Sequence, residues 1–452
     1  MKKNKYEIDM CNGTIMDKLI SFSIPLMLSG ILQLMFNAVD IVVVGRFSGS
    51  EALAAVGSTT ALINVFTNLF IGISLGANVL AARYYAAGKT KEMSETVHTA
   101  IALALVSGVA MAVIGVVFAR GALEIMGTPD DVIAKSTLYM RIYFCGMPFF
   151  MMYNYGAAIL RAVGDTKRPL IFLIVSGVIN AVLNLFLVIG FHLDVAGVGI
   201  ATVISQLVSC ILVLRCLHHT ESSYQLHLAK LRIRSVYLKQ IFEVGVPAGI
   251  QSTVINISNA MLQSSVNSFG SIAMAGYTAS NNIFGFLYVS VNSFTQACMS
   301  FTSQNYGVGK YKRMDKVLID CLILSSGIAL VMGGGAYLFG TEILQIYTGD
   351  PEVIRCGMEI LSITTVPYFL CGIMDLFPGA LRGMGCSAVP MILSVIGTVG
   401  TRIVWIFGIF PQHRSLYVLF ISYPGSWIIT IIMQVICYLI VRKKVHSRAA
   451  AV

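Results

Sequence analysis

The chain has 452 residues, of which 56% are hydrophobic and only 12% charged. Soluble domains carry about 25% charged residues, so composition excludes a soluble globular protein and leaves an integral membrane protein with little mass outside the bilayer. The formal charge of +10 would suit a nucleic-acid binder, but its distribution along the chain argues against that partner.

Twelve long apolar runs fill the chain, at approximately 18–45, 52–82, 97–119, 132–158, 168–191, 195–217, 240–267, 273–300, 316–340, 354–381, 388–410 and 416–441. A helix crosses the hydrocarbon core in about 20 residues. The runs are continuous rather than alternating, so the expected fold is all-α and not a β-barrel. The N-terminus, MKKNKYEIDMCNGTIMDK, is polar and reads as lacking a cleavable signal. The ten cysteines form no CxxC pair, and most lie inside apolar runs, as reduced packing residues do. Basic residues fall on alternate connections. One set holds Lys2, Lys3, Lys5 and Lys18, then Arg83, Lys89 and Lys91, Arg161, Lys167 and Arg168, Arg215 with Lys230 to Lys239, Lys310 to Lys316, Arg382, and Arg442 to Arg448. The other holds only Arg46, Arg120, Lys135, Arg355 and Arg414. By the positive-inside rule both termini are expected in the cytoplasm.

The first run carries a carboxylate, Asp40, near the far end of Pro25–Gly45. Gln33, Asn37 and Asp40 fall at i, i+4 and i+7 and share one helix face. An ionised aspartate at membrane depth costs a few kcal/mol on insertion scales, so this face is expected to meet protein or a watery cavity. Asp40 is therefore a candidate ion- or proton-binding group. The second run has Asn64 and Asn68, then Gly72 and Gly76 in a GxxxG spacing that marks close helix packing. The fourth contains Arg141, which reads equally as snorkelling or paired. In the fifth, Ser176, Asn180 and Asn184 repeat every four residues. In the sixth, Val198, Thr202, Ser205, Gln206 and Ser209 lie along one side. Amide and hydroxyl oxygens near a carboxylate suit a hard monovalent cation; the plainer reading is that they hydrogen-bond helices together.

The second half repeats the theme. Asn256, Asn259, Gln263 and Asn267 share a face of the seventh run, and Asn282, Asn292 and Gln296 follow in the eighth. Asp375 stands in the tenth and Arg402 in the eleventh. These two read either as a structural ion pair or, for Asp375, as a second coupling group. The lone histidines His98, His192 and His413 suggest no ligand constellation.

The chain matches itself at a shift of about 221 residues. YYAAGKTKEM (84–93) lies over NYGVGKYKRM (305–314), and ILRAVGDTKRP (159–169) over ALRGMGCSAVP (380–390). Pro25 corresponds to Pro247 with a one-residue slip. The expected organisation is an N-terminal six-helix lobe at 14–217, a basic cytoplasmic linker at 218–239 and a C-terminal lobe at 240–441. An even helix number per half gives both repeats the same orientation, with substrate sites expected between them.

Catalytic and nucleotide motifs are missing. Gly88-Lys89-Thr90 looks like the end of a phosphate-binding loop, but that loop needs glycine at position 83, where this chain has Arg83. No HExxH, metal-ligand cluster or second catalytic group matched to Asp40 stands out, so an enzyme is not expected.

Asp40 after Pro25 and Asn37, the ARYYAAGK and QNYGVGK loops, and the LRAVGDTKRP and LRGMG loops together resemble the multidrug and toxic compound extrusion (MATE) family, over about 14–441. The resemblance implies twelve helices in two pseudo-symmetric six-helix bundles forming a V-shaped cavity. It also implies export of amphipathic, often cationic compounds in exchange for Na⁺ or H⁺. The family's N-lobe cation site falls on Asp40, Asn180, Asn184 and Thr202, which would hold Na⁺ as a metal if sodium is the coupling ion. Asn184 leaves that site with one carboxylate. Asp375 matches an acidic position on the tenth helix, while Asn256 and its neighbours supply no carboxylate on the seventh. Gln33, Asn37, Asn256, Asn259 and Asn282 are further cavity candidates. The expected setting is the plasma (inner) membrane, with lipids and a small-molecule substrate as partners, no nucleic acid, no cofactor beyond the coupling ion, and a monomeric state. A lipid-linked precursor flippase and a non-transporting scaffold are the competing readings.

Overall fold

The structure, a computed structural model, describes residues 5–450, the side chains of 50, 61 and 448–450 excepted; Lys2 and Lys3 of the topology argument lie outside it. Every regular element among the described residues is helical. The helices are α1 (Met16–Phe47), α2 (Gly49–Ala86), α3 (Thr90–Ile125), α4 (Asp130–Cys145), α5 (Met147–Ala162), α6 (Lys167–Leu185), α7 (Asp194–His218), α8 (Ser235–Asn267), α9 (Ser271–Gly307), α10 (Tyr311–Leu338), α11 (Gly340–Gln345), α12 (Pro351–Thr364), α13 (Tyr368–Gly383), α14 (Ala388–Ser394), α15 (Thr401–Val404), α16 (Leu416–Phe420) and α17 (Ser422–Ala450). π-helical turns extend α6 at Phe186–Gly190 and interrupt the α14–α15 region at Val395–Gly400 and Trp405–Ile409.

Each of the twelve apolar runs falls on a helix or a broken helix. Among the described residues, eight helices are long and apolar enough to cross a membrane by length and composition, and α12 with α13, bent by 49°, makes a ninth. The break before α13 contains Pro367, whose ring disfavours helical backbone in the residue before it. α4 and α5 fall short because each has 16 residues. α8 and α9 are long enough but carry asparagines, glutamines and serines along their length.

The repeat is visible in how helices end. α5 stops at Gly164 with φ +92°, and α13 at Gly385 with φ +90°, a left-handed conformation that glycine adopts without a Cβ penalty. The following residue closes the same bond in both: Asp165 N–H donates to Leu160 O and Cys386 N–H to Leu381 O, each at 2.9 Å. α2 and α9 end alike, Lys89 donating to Tyr84 O and Lys310 to Asn305 O.

The chain divides into two compact units, Met1–Ile8 with Leu28–Gly249, and Asp9–Met27 with Ile250–Val452. The internal boundaries come just after the prolines inside α1 and α8, Pro25 and Pro247. In the first unit α3 packs on α4 and α5, α2 on α5, and α6 on α7. Small residues permit the close approaches that transmembrane packing requires. A Cβ on Gly115 would strike the Phe144 ring at 2.0 Å, and one on Gly72 would lie 2.2 Å from Gly249 Cα. The GxxxG of α2 thus meets Gly245 and Gly249 of α8, a second GxxxG. In the second unit α9 packs on α10, α12 and α13, and α13 on α17. Val106, Val109, Val113 and Val117 are exposed at three- and four-residue intervals on α3, the apolar outer stripe of a lipid-facing helix.

The 219–234 segment docks on the start of α3. Glu95 accepts from Arg232 and, at 3.2 Å, from Arg234. His98 Nε2 accepts from His227 N–H at 3.0 Å. Tyr224, pushed up to about 12 by burial first and then by its contact with Glu7, stays protonated and donates to Glu7 at 2.7 Å. The structure thus gathers histidines at this linker, though no group of three His, Cys, Asp or Glu among the described residues could hold a metal ion.

Candidate cation site in the first unit

α6 and α1 bring the predicted residues together. Gly177 and Asn184 are seven residues apart and share one face of α6. The Phe36 ring lies on Gly177, where a Cβ would meet it at 1.9 Å. One turn further along α1, Asp40 meets Asn184. Asn184 Nδ2 donates to Asp40 Oδ1 and also, at 3.3 Å, to Asn180 Oδ1. Asn180 Nδ2 in turn reaches Thr202 Oγ1 on α7 at 3.5 Å. Thr202 Oγ1 donates to Val198 O at 2.9 Å, which leaves its lone pairs to accept from Asn180. All four residues of the set, Asp40, Asn180, Asn184 and Thr202, therefore lie in one connected chain of contacts.

Asn180 and Asn184 are buried, and Asp40 and Thr202 half-buried. Asn184 Oδ1 is a buried carbonyl oxygen with no hydrogen-bond partner. Leaving such an acceptor unmade costs about 1–3 kcal/mol. A cation beside Asp40 would give it a partner, and oxygen is the donor type that hard cations choose. Ser176, on the same face, donates to its own helix at Leu173 O at 3.1 Å.

Sequence reasoning missed Tyr139 and Tyr143 of α4, both within electrostatic reach of Asp40. Their i, i+4 spacing was the available signal. The other candidates are dispersed. Gln33 and Asn37 are exposed, as is Asn256. Asn282 is exposed and bonds its own helix at Thr278 O. Asn259 accepts from Arg402 Nη1 at 2.9 Å. Asp375 is half-buried near Arg382. The ion pair read between Asp375 and Arg402 is not formed among the described residues. Arg402 turns instead to Asn259 and to the Tyr423 ring, 4.3 Å from its centroid.

The sequence profile described as MatE matches residues 25–186 and again 247–407. The chain belongs to the MatE family. The two matched stretches are displaced by the same shift that brings the internal repeat into register. This MatE chain is 29% identical over 432 residues to "Probable multidrug resistance protein YoeA" of Bacillus subtilis (strain 168), covering 94% of this chain and 93% of the relative. It is 22% identical over 383 residues to "Multidrug export protein MepA" of Staphylococcus aureus (strain NCTC 8325 / PS 47), covering 84% of each. Among solved structures it superimposes with a TM-score of 0.89, at 20% identity and over 100% of both chains, on the "Outward-facing conformation of a multidrug resistance MATE family transporter of the MOP superfamily". A second, the "Crystal structure of MATE in the bent conformation", gives 0.87 over 98% of each chain at 20% identity. At that identity the likeness is one of fold. It supports the twelve-helix, all-α membrane architecture expected from the apolar runs.

Proposed function

We propose that this MatE chain is a secondary antiporter that exports amphipathic or cationic compounds across the plasma membrane in exchange for Na⁺ or H⁺ bound at Asp40. The observation that carries the coupling role is the Asp40–Asn184 contact with its unpartnered buried carbonyl. The names of its relatives, multidrug resistance and multidrug export proteins, support the cargo class. An ionised carboxylate among membrane helices is costly unless a cation or proton neutralises it. Loading the ion draws Asp40, Asn180, Asn184 and Thr202 together and stiffens α1 against α6. Such loading drives transport only if the two conformations of the protein bind the ion with different affinity. A membrane potential adds about 2.3 kcal/mol per charge per 100 mV. The groups around Asp40 are amides, a threonine and two phenols, which hold an ion but offer no activated nucleophile; this supports a transporter rather than an enzyme. The reading includes cytoplasmic termini, from the basic connections, with lipids and a small molecule as partners and a monomer as the working unit.

The test is efflux of a fluorescent organic cation from proteoliposomes, with sodium and proton gradients imposed separately on wild type and Asp40→Asn. Wild type is expected to export under one gradient, which names the ion, and the variant under neither. Equal export by both would remove Asp40 from the mechanism.

A further inference from the structure

The internal repeat supplies counterparts for Asp40, Asn180 and Thr202, and among them a basic side chain replaces the acidic one. The offset that pairs Pro25 with Pro247 pairs Asn37–Ala38 with the identical Asn259–Ala260, and Asp40 with Leu262. The offset that pairs Gly164 with Gly385 pairs Thr202 with Tyr423. It also pairs Pro169 with Pro390. Beyond that proline the π-turn Val395–Gly400 adds one residue, which brings Arg402 into the place of Asn180. Where Asn180 reaches Thr202, the Arg402 guanidinium lies over Tyr423. Where Asp40 stands, Leu262 is fully buried. The second unit has lost the carboxylate and gained an arginine.

Arg402 is 3% exposed. A guanidinium has five N–H donors in a planar fork that matches a carboxylate. One side-chain acceptor, Asn259 Oδ1, takes Nη1, and the Tyr423 ring offers a cation–π face. Nε is buried with no hydrogen-bond partner. No ion pair among the described residues includes Arg402. Asp375 lies elsewhere, on α13, and no hydrogen bond joins it to Arg402. A purely structural arginine at this depth would have its donors taken, because an uncompensated buried charge is the costly arrangement.

We propose that Arg402, with Asn259 and Tyr423, forms an anion site for one carboxylate or another small monovalent anion, the charge-inverted twin of the Asp40 site. A single guanidinium balances one negative charge, and a divalent anion would leave net charge in an apolar lobe. If the anion is part of the exported compound, a step that rests on the export reading, the cargo includes zwitterions and not only cations.

The chain's two tryptophans both report on this place. Trp405 follows Arg402 by three residues, and the Trp427 ring lies 5.8 Å from that of Tyr423. Purified protein in detergent is titrated with sodium butyrate and, separately, sodium chloride, at constant sodium balanced with sulfate in Tris buffer, following tryptophan emission. Wild type is expected to give a saturable change. Arg402→Gln should weaken it at least about tenfold, and Arg402→Lys, which keeps charge but not the fork, by a few-fold. A response to butyrate alone assigns the site to a carboxylate of the cargo; an equal response to chloride assigns it to an inorganic anion. No saturable change, or unaltered half-saturation in the variants, overturns the proposal. If Arg402→Gln does not fold, Arg402→Lys decides. Binding is read without transport, so a failure of the export reading leaves this result standing.

Discussion

The Phe36 ring occupies the space beside Gly177 that a methyl group would need. This contact seats α1 on α6 one turn before Asp40 meets Asn184. Gly177→Ala forces the ring away, and overpacking of this kind costs about 1–3 kcal/mol. The expected outcome is a lower melting temperature and loss of Asp40-dependent efflux, with Phe36→Ala restoring the fold when added to it. Full efflux by Gly177→Ala alone would show that this contact does not position the carboxylate.

Asn184→Ala removes both the N–H given to Asp40 and the unpartnered carbonyl. Hydrogen bonds to charged groups are worth about 1.5–3 kcal/mol, or roughly 10–100-fold in affinity. The cation concentration for half-maximal efflux is expected to rise by that factor, while expression and melting change little. Asn184→Ala with unaltered ion dependence would place the coupling ion elsewhere.

The α2–α8 crossing gives a test of packing. A Cβ on Gly72 would lie 2.2 Å from Gly249 Cα, and one on Gly76 2.1 Å from Ile241 O. Backbone atoms cannot rotate away as a side chain can. Gly72→Ala and Gly76→Ala should therefore lower the melting temperature sharply. Gly57→Ala, with open space around it, should be neutral or stabilising, since alanine beats glycine in a helix by about 0.5–1 kcal/mol. Melting in detergent ranks the three.

Glu95→Gln tests the linker. It loses the carboxylate that holds Arg232 and Arg234 on α3. The pairs are exposed on the arginine side, so each contributes about 0.2–1 kcal/mol. Trypsin is expected to cut after these arginines roughly 2–5-fold faster than in wild type, read by gel over time. Unchanged cleavage would mean that Thr99, which accepts from Arg234 N–H at 3.3 Å, and His98 hold the segment without help.

Much of this was legible before the fold was known. Continuous apolar runs become helices in lipid because only helices and closed barrels satisfy the backbone there, and a barrel needs alternating strands. Asp40 stood out because charge is rare at that depth, and Asn180 and Asn184 because a four-residue spacing puts two amides on one face. The helix-ending glycines were visible as matched motifs, and the structure gives them matched positive φ angles.

Contacts between helices were decided by the tertiary structure alone. Periodicity states which residues share a face, not which face meets it. So Gln33, Asn37 and Asp40 share a stripe, yet only Asp40 reaches α6. Gly72 and Gly76 announced a close crossing without naming Gly245 and Gly249 as its partner. Asp375 and Arg402 carry opposite charges, yet the guanidinium goes to an amide and a ring. A π-turn at Val395–Gly400 precedes Arg402; an added residue turns every following side chain through about 100°, so helical periodicity counted from the sequence loses the face there.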